Sequence, residues 1–246
     1  MKELVNKFDR KLAKVIARSP RILRTAGSIV SFTFDDIPAT ALRGADLLET
    51  VGARGTFYIS AGLLGAEGMH GRHADQQELR ELCARGHEIG CHTYSHLRAA
   101  SSSKSGFAAD LDRNRNVLAD LAGRAPKSFA FPFGSVSTAT KYAARARYSS
   151  CRTTQSFFQA NVFDAAGLGG IPVYSDPERL RVCDEVIEKA AAGKNWVIFY
   201  THDVEQAPSA FGCRFDQLRH VMQRCKEFSY KFLTVEDVIE KHSDPL

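Results

Sequence analysis

The chain has 246 residues, 44% hydrophobic and 25% charged, with a formal net charge of +5. That length suits one large domain with a substantial core, and the composition is that of an ordinary globular protein rather than a disordered chain. No stretch reaches transmembrane length, no clustered basic-aromatic motif supports a nucleic-acid module, and six cysteines without Cys-x-x-Cys spacing argue against a disulfide framework or a cysteine-based zinc site.

The first 24 residues carry eight Lys or Arg. Val5, Phe8, Leu12, Val15 and Ile16 recur there at helical spacing, so a basic amphipathic helix is expected within 1–24, packed on the domain and ending before Pro20. It has no uninterrupted apolar core of signal-peptide length, which makes a cytoplasmic location the default and reduced thiols the expected state of the cysteines. Beyond residue 27, short apolar strands alternate with amphipathic helices. Strands are expected at 28–34, 55–59, 87–91, 128–131, 150–153, 170–173, 196–200 and 231–234. Helical patterns lie between them, one carrying Leu79 and Leu82, another Leu111, Val117, Leu118 and Leu121. The clearest has Asp176 as N-cap and Pro177 at its first position. Leu180, Cys183, Val186, Ile187 and Ala190 share a face, and Gly193 is its stop. Such alternation implies a parallel sheet, and about eight βα units point to a TIM-like (β/α) barrel rather than an open sheet. No repeat or linker divides 1–246 into further domains.

In such a barrel, chemistry sits at the C-terminal ends of the strands. Asp35 and Asp36 follow the first expected strand and His92 the third. Phe131-Pro132-Phe133-Gly134 follows the fourth, Arg152 ends the fifth, and His202-Asp203 follows the seventh. Adjacent carboxylates repel and call for a cation or a basic partner nearby. His92 and His96 stand one helical turn apart, which lets both imidazoles meet one ion. With Asp36 they make two histidines and one carboxylate, a catalytic zinc pattern that leaves a position open. His202 is expected opposite that ion as a proton donor, while Asp203 either orients an imidazole or caps the next segment. His70 and His73, in and just beyond the glycine-rich loop 65–71, are expected to be solvated.

Thr33-Phe34-Asp35-Asp36, His92-Thr93-Tyr94-Ser95-His96, Phe131-Pro132-Phe133-Gly134 and Tyr200-Thr201-His202 together resemble the motifs of the polysaccharide deacetylases, carbohydrate esterase family four. Gly55-Thr56-Phe57-Tyr58 and Gly86-His87-Glu88-Ile89-Gly90 match in context, and the resemblance covers residues 28–240. It implies a distorted (β/α) barrel of seven or eight strands that removes acetyl groups from an N- or O-acetylated glycan. By position, Asp35 resembles the catalytic base and His202 the general acid. Asp36, His92 and His96 resemble the ligands of one divalent ion, with Zn2+ expected. A backbone N–H near Phe133 is a candidate oxyanion donor.

Three departures stand out. Ala130 occupies the position where many members carry an Arg that pairs with the base, and Arg152 is expected to supply that cation from the next strand. The aspartate that orients the acid histidine has no match beyond Asp176, near Tyr174. Ile37-Pro38 replaces a glycine-rich turn. Two other readings are a related C–N hydrolase acting on a small cyclic amide and a catalytically silent carbohydrate-binding barrel. Glycoside hydrolysis would want opposed carboxylates instead of adjacent ones.

Overall fold

The computed structural model describes residues 9, 12, 13 and 15–246, so most of the helix expected within 1–24 lies outside the described residues. Pro20 opens a first strand, β1 (Pro20–Leu23). The chain then enters β2 (Ile29–Asp35), buried at all seven positions. Strand alternation sends Val30, Phe32 and Phe34 into the largest apolar cluster, between sheet and helices, and turns Ser31, Thr33 and Asp35 to the barrel interior. The interior hydroxyls are satisfied: Trp196 Nε1 donates to Ser31 Oγ at 2.9 Å, and Thr33 Oγ1 donates to the Phe199 carbonyl at 3.0 Å.

Next come α1 (Leu42–Glu49), β3 (Thr56–Ile59), a hairpin of β4 (Glu67–Gly68) and β5 (Gly71–Arg72), and α2 (Gln76–Ala84). They lead to β6 (Glu88–Cys91), α3 (Lys104–Ala122), β7 (Ser128–Ala130), α4 (Thr138–Arg145) and β8 (Ser150–Arg152). After β9 (Val162–Asp164) and β10 (Ile171–Pro172) come α5 (Pro177–Ala191), β11 (Trp196–Thr201), α6 (Phe215–Glu227), β12 (Lys231–Phe232), α7 (Val235–Lys241) and β13 (Ser243–Pro245). In α5, Asp176 caps the N-terminus by accepting from the Glu178 N–H at 2.9 Å, and Cys183, Ile187 and Ala190 are buried.

The parallel strands run in the order β10-β11-β2-β3-β6-β7-β8, and β12 shares the edge of β2 with β3. Leu168 bridges Arg152 of β8 in parallel, and a few residues later β10 joins β11. The segment 168–172 therefore returns the curled sheet on itself as a distorted barrel of seven strands. Every expected strand is present, shifted at its ends by at most two residues.

The three-stranded antiparallel sheet β13-β1-β9 was not foreseen. Its Leu23 and Phe163 pack with Ile29 and Trp196 at the N-terminal ends of β2 and β11, closing the barrel floor. Inside the barrel, a Cβ on Gly90 would stand 2.5 Å from the Tyr58 ring, so glycine is what admits that side chain. The six cysteines are free, five of them buried. No helix among the described residues is long and apolar enough to cross a membrane.

Candidate active site

Alternation along β2 turns Asp35 inward and would turn Asp36 outward. Instead the backbone takes left-handed values at Asp36 (φ 59°) and Ile37 (φ 45°), which bring the second carboxylate round to the mouth. His73 fixes this turn by donating from Nδ1 to the Asp36 carbonyl at 2.7 Å. Gly68 makes room for it, since a Cβ there would lie 2.3 Å from His73 Nε2. His73 is thus buried and structural, contrary to the expectation that it is solvated.

His92 follows β6, and its Nδ1 donates to the Ala130 carbonyl at the end of β7, at 2.8 Å. A carbonyl only accepts, so Nδ1 carries the proton and Nε2 presents a lone pair. That lone pair faces Asp36 Oδ1 at 3.3 Å, and His96 Nε2 faces the same oxygen at 3.0 Å. Asp36 Oδ1 is buried and has no hydrogen-bond donor. Lone pairs opposed at this range need a cation or a proton between them, and two imidazoles with one carboxylate are a zinc-type donor set. The residues therefore fit a divalent ion. Burial works to raise the Asp36 carboxyl, but positive charge between it and the facing rings, carried by protonated His92 and His96, outweighs burial and holds it well below the usual carboxylate range.

His92 and His96 do not sit on a helical turn. The segment is a loop with left-handed Thr93 (φ 63°) and His96 (φ 52°), pinned where Asp110 accepts from the Tyr94 and Ser95 N–H groups at 2.7 and 3.1 Å. The loop still brings the two rings within 5.1 Å.

Asp35 is 4% exposed and Arg152 is fully buried. Arg152 Nη2 donates to both oxygens of Asp35, to Oδ1 at 2.6 Å. The guanidinium lies between the Tyr58 and Tyr200 rings, 5.3 and 4.7 Å from their centroids. Ala130 and Arg152 are register partners on β7 and β8. A cation moved from the first position to the second stays beside the same carboxylate.

His202, just past β11, donates from Nδ1 to the Phe211 carbonyl at 3.1 Å and turns Nε2 to within 3.9 Å of Asp36 Oδ2. Asp176 caps α5 at the surface and has no part in orienting it. The ring beside His202 belongs to His70, at 4.7 Å between centroids. His70 comes from the turn of the β4–β5 hairpin, is only 7% exposed, and has Nε2 4.0 Å from Asp36 Oδ2. Its expected solvation is therefore also corrected. Burial first, then neighbouring His202, push its imidazole below the ordinary value. Asp203 serves this side of the site: it accepts from the Ser209 N–H and hydroxyl, both at 2.6 Å, and Ser209 Oγ meets His70 Nδ1 at 2.9 Å.

Asp35, Asp36, His70, His92, His96 and His202 line one cavity of about 560 Å³ with Phe133, Tyr174, Tyr200 and Phe211 on its walls. Phe133 (φ 59°) is half exposed and lies tilted against His96, 4.6 Å between centroids, with the Arg98 guanidinium over its ring at 4.1 Å. Gly134 (φ +59°) lets that turn close on β8, because a Cβ would strike Thr154. Thr154 has no signal in the sequence; for His70 the signal against solvation is Gly68-Met69-His70-Gly71, a two-residue turn between glycines that folds it back over the site.

A parallel-stranded barrel with carboxylates and imidazoles gathered at its C-terminal rim is a hydrolase-type architecture. The family model for polysaccharide deacetylase matches residues 5–149, more than half the sequence, and the chain belongs to that family. The matched region contains Asp35, Asp36, His92, His96 and Phe133, whereas Arg152 and His202 lie beyond it. A peptidoglycan-N-acetylglucosamine deacetylase of Bacillus cereus is 28% identical over 111 residues, 44% of this chain and 37% of that protein. The curated relatives are matched over about a third of their own length. Among solved structures, the chitin deacetylase of the fungal pathogen Colletotrichum lindemuthianum superposes with a TM-score of 0.62 at 20% identity, covering 91% of this chain and 94% of that one. A CE4 family pseudoenzyme from Bacillus anthracis gives 0.59 at 13% identity, covering 88% and 66%. Both likenesses establish the shared fold.

Proposed function

We propose that the chain is a metal-dependent deacetylase that releases acetate from an N- or O-acetylated carbohydrate. The observation that carries this reading is the buried, donorless Oδ1 of Asp36, set between the Nε2 atoms of His92 and His96, with a second carboxylate beside it. Family membership and the names of the relatives support the substrate class.

Asp36, His92 and His96 would hold the ion, with Zn2+ the best match to their donor atoms. When bound, such an ion supplies Lewis-acid chemistry that acidifies water and polarises an acyl carbonyl. Asp35 accepts the water's proton as attack proceeds. Arg152 holds Asp35 through two hydrogen bonds from one Nη2 and compensates the charge of this largely buried carboxylate at the cavity wall. The Nδ1–H bond to Phe211 aims His202 Nε2 into the cavity, where it hands a proton to the departing amine or alkoxide. A backbone N–H at the Phe133 turn is the candidate oxyanion donor. Phe133 and Phe211, each partly exposed at the cavity mouth, offer apolar ring surface to a sugar.

The test is acetate release from a panel of acetylated oligosaccharides by zinc-supplemented protein. Acetate should appear in step with new amine or hydroxyl groups. A folded, zinc-loaded protein that releases none across the panel would contradict the carbohydrate assignment and favour a small amide.

A further inference from the structure

Asp36 has a second oxygen, and a second pair of imidazoles faces it. Oδ2 lies 4.0 Å from His70 Nε2 and 3.9 Å from His202 Nε2. The ligand atoms of Asp36, His70 and His202 lie within 4.8 Å of one another, as do those of Asp36, His92 and His96. Both added rings are held in the tautomer that ligation requires. His202 Nδ1 donates to the Phe211 carbonyl. The Ser209 hydroxyl spends its proton on Asp203, so it can only accept from His70 Nδ1. Each ring therefore offers Nε2 as a lone pair, and each carries the outer hydrogen bond that metal-bound histidines show. The side chains are 7%, 10% and 14% exposed for His70, Asp36 and His202, and they open onto the cavity.

We propose that Asp36, His70 and His202 form a second, weaker divalent-cation site bridged to the first by the Asp36 carboxylate, and that filling it withdraws His202 from proton transfer. The effect on turnover rests on the deacetylase reading; the ion itself does not. Two imidazole nitrogens and one carboxylate oxygen select Zn2+ over Mg2+ or Ca2+, which take oxygen ligands. Repulsion between two dications sharing one carboxylate makes the second ion weaker than the first, by at least about tenfold. An ion on His202 Nε2 occupies the lone pair that must carry the leaving group's proton. The first equivalent of zinc is then an activator and the excess an inhibitor.

Chelator-stripped protein is titrated with zinc sulfate while bound zinc per chain and acetate release are both recorded. The wild type should bind one ion tightly and then a second. Turnover should rise with the first and fall by roughly 10²-fold once the second is saturated, the scale of a lost general acid. His70→Ala should keep the tight ion, lose the second and lose the falling limb. Ser209→Ala, which removes the outer hydrogen bond to His70 together with the hydroxyl's bonds to Asp203 and the Phe211 N–H, should weaken the second ion by about tenfold and spare the first. Wild type that saturates at one ion, with turnover flat into excess zinc, overturns this inference alone. Retention of the second ion by His70→Ala overturns it too. Failure to bind any zinc instead removes the deacetylase reading.

Discussion

Glu88 and Asp36 are carboxylates at opposite ends of the parallel sheet, the first buried at the N-terminal end of β6 and the second partly buried just past the C-terminal end of β2. Glu88 accepts from Thr56 Oγ1 at 2.7 Å, from the Glu236 N–H at 2.9 Å and from Ser128 Oγ. Its three neutral donors hold the first residues of β3 and β7 to the start of α7. Asp36 Oδ1 has no donor and faces the Nε2 atoms of two imidazoles, of which His92 presents its lone pair. Backbone geometry differs in the same sense. Of the seven non-glycine residues with positive φ among the described residues, Asp36, Ile37, Thr93, His96 and Phe133 stand at the mouth. A carboxylate with its hydrogen bonds complete is part of the scaffold. One left incomplete, on a backbone bent to present it, is where the molecule expects a ligand.

Substitutions at the two ends should therefore separate. Asp36→Ala should abolish the tight ion and lower turnover by roughly 10³-fold or more, since an ion supplying several kcal/mol is lost; a variant that still binds zinc tightly would place the site elsewhere. Asp35→Asn should keep that ion and lower turnover by about 10²- to 10⁴-fold, and loss of zinc there would mean that the roles of the two aspartates are exchanged. Arg152→Ala leaves Asp35 buried without a cation, so urea unfolding should show a loss of about 3–5 kcal/mol along with reduced turnover. Unchanged stability and turnover would remove Arg152 from the site.

At the floor, Glu88→Gln should leave zinc binding and turnover intact. Burial pushes the Glu88 carboxyl above its ordinary value of 4.5. Below that value both folded and unfolded chains hold the proton. As pH rises past it the unfolded chain ionises first, so this group's contribution to stability falls until the folded carboxyl also ionises. The stability of Glu88→Gln relative to wild type should thus grow as pH rises past the ordinary value of 4.5. A difference independent of pH would contradict the assignment.

The barrel was legible because β2 and β11 are runs of buried residues and because helix signals such as Asp176-Pro177 punctuate them. The floor sheet was not, since β1, β9 and β13 are short and largely exposed and their pairing joins residues as distant as Arg21 and Pro245. At the mouth, Asp36, His92 and His96 could be gathered from strand ends alone, although their meeting depends on left-handed turns that spacing does not reveal. Arg152 could be singled out as the next strand's cation, and the register of Ala130 with Arg152 supplies the reason. His70 reads as solvated from sequence because the hydroxyl that anchors its ring, Ser209, lies far off in the chain.

The central claim is that Asp36, His92 and His96 hold an ion on which hydrolysis depends. It is tested most directly by measuring tightly bound zinc and acetate release on one preparation, before chelation, after it and after zinc is restored. About one tight ion per chain is expected, with loss of turnover on its removal and recovery on its return. Full acetate release from metal-free protein would contradict it.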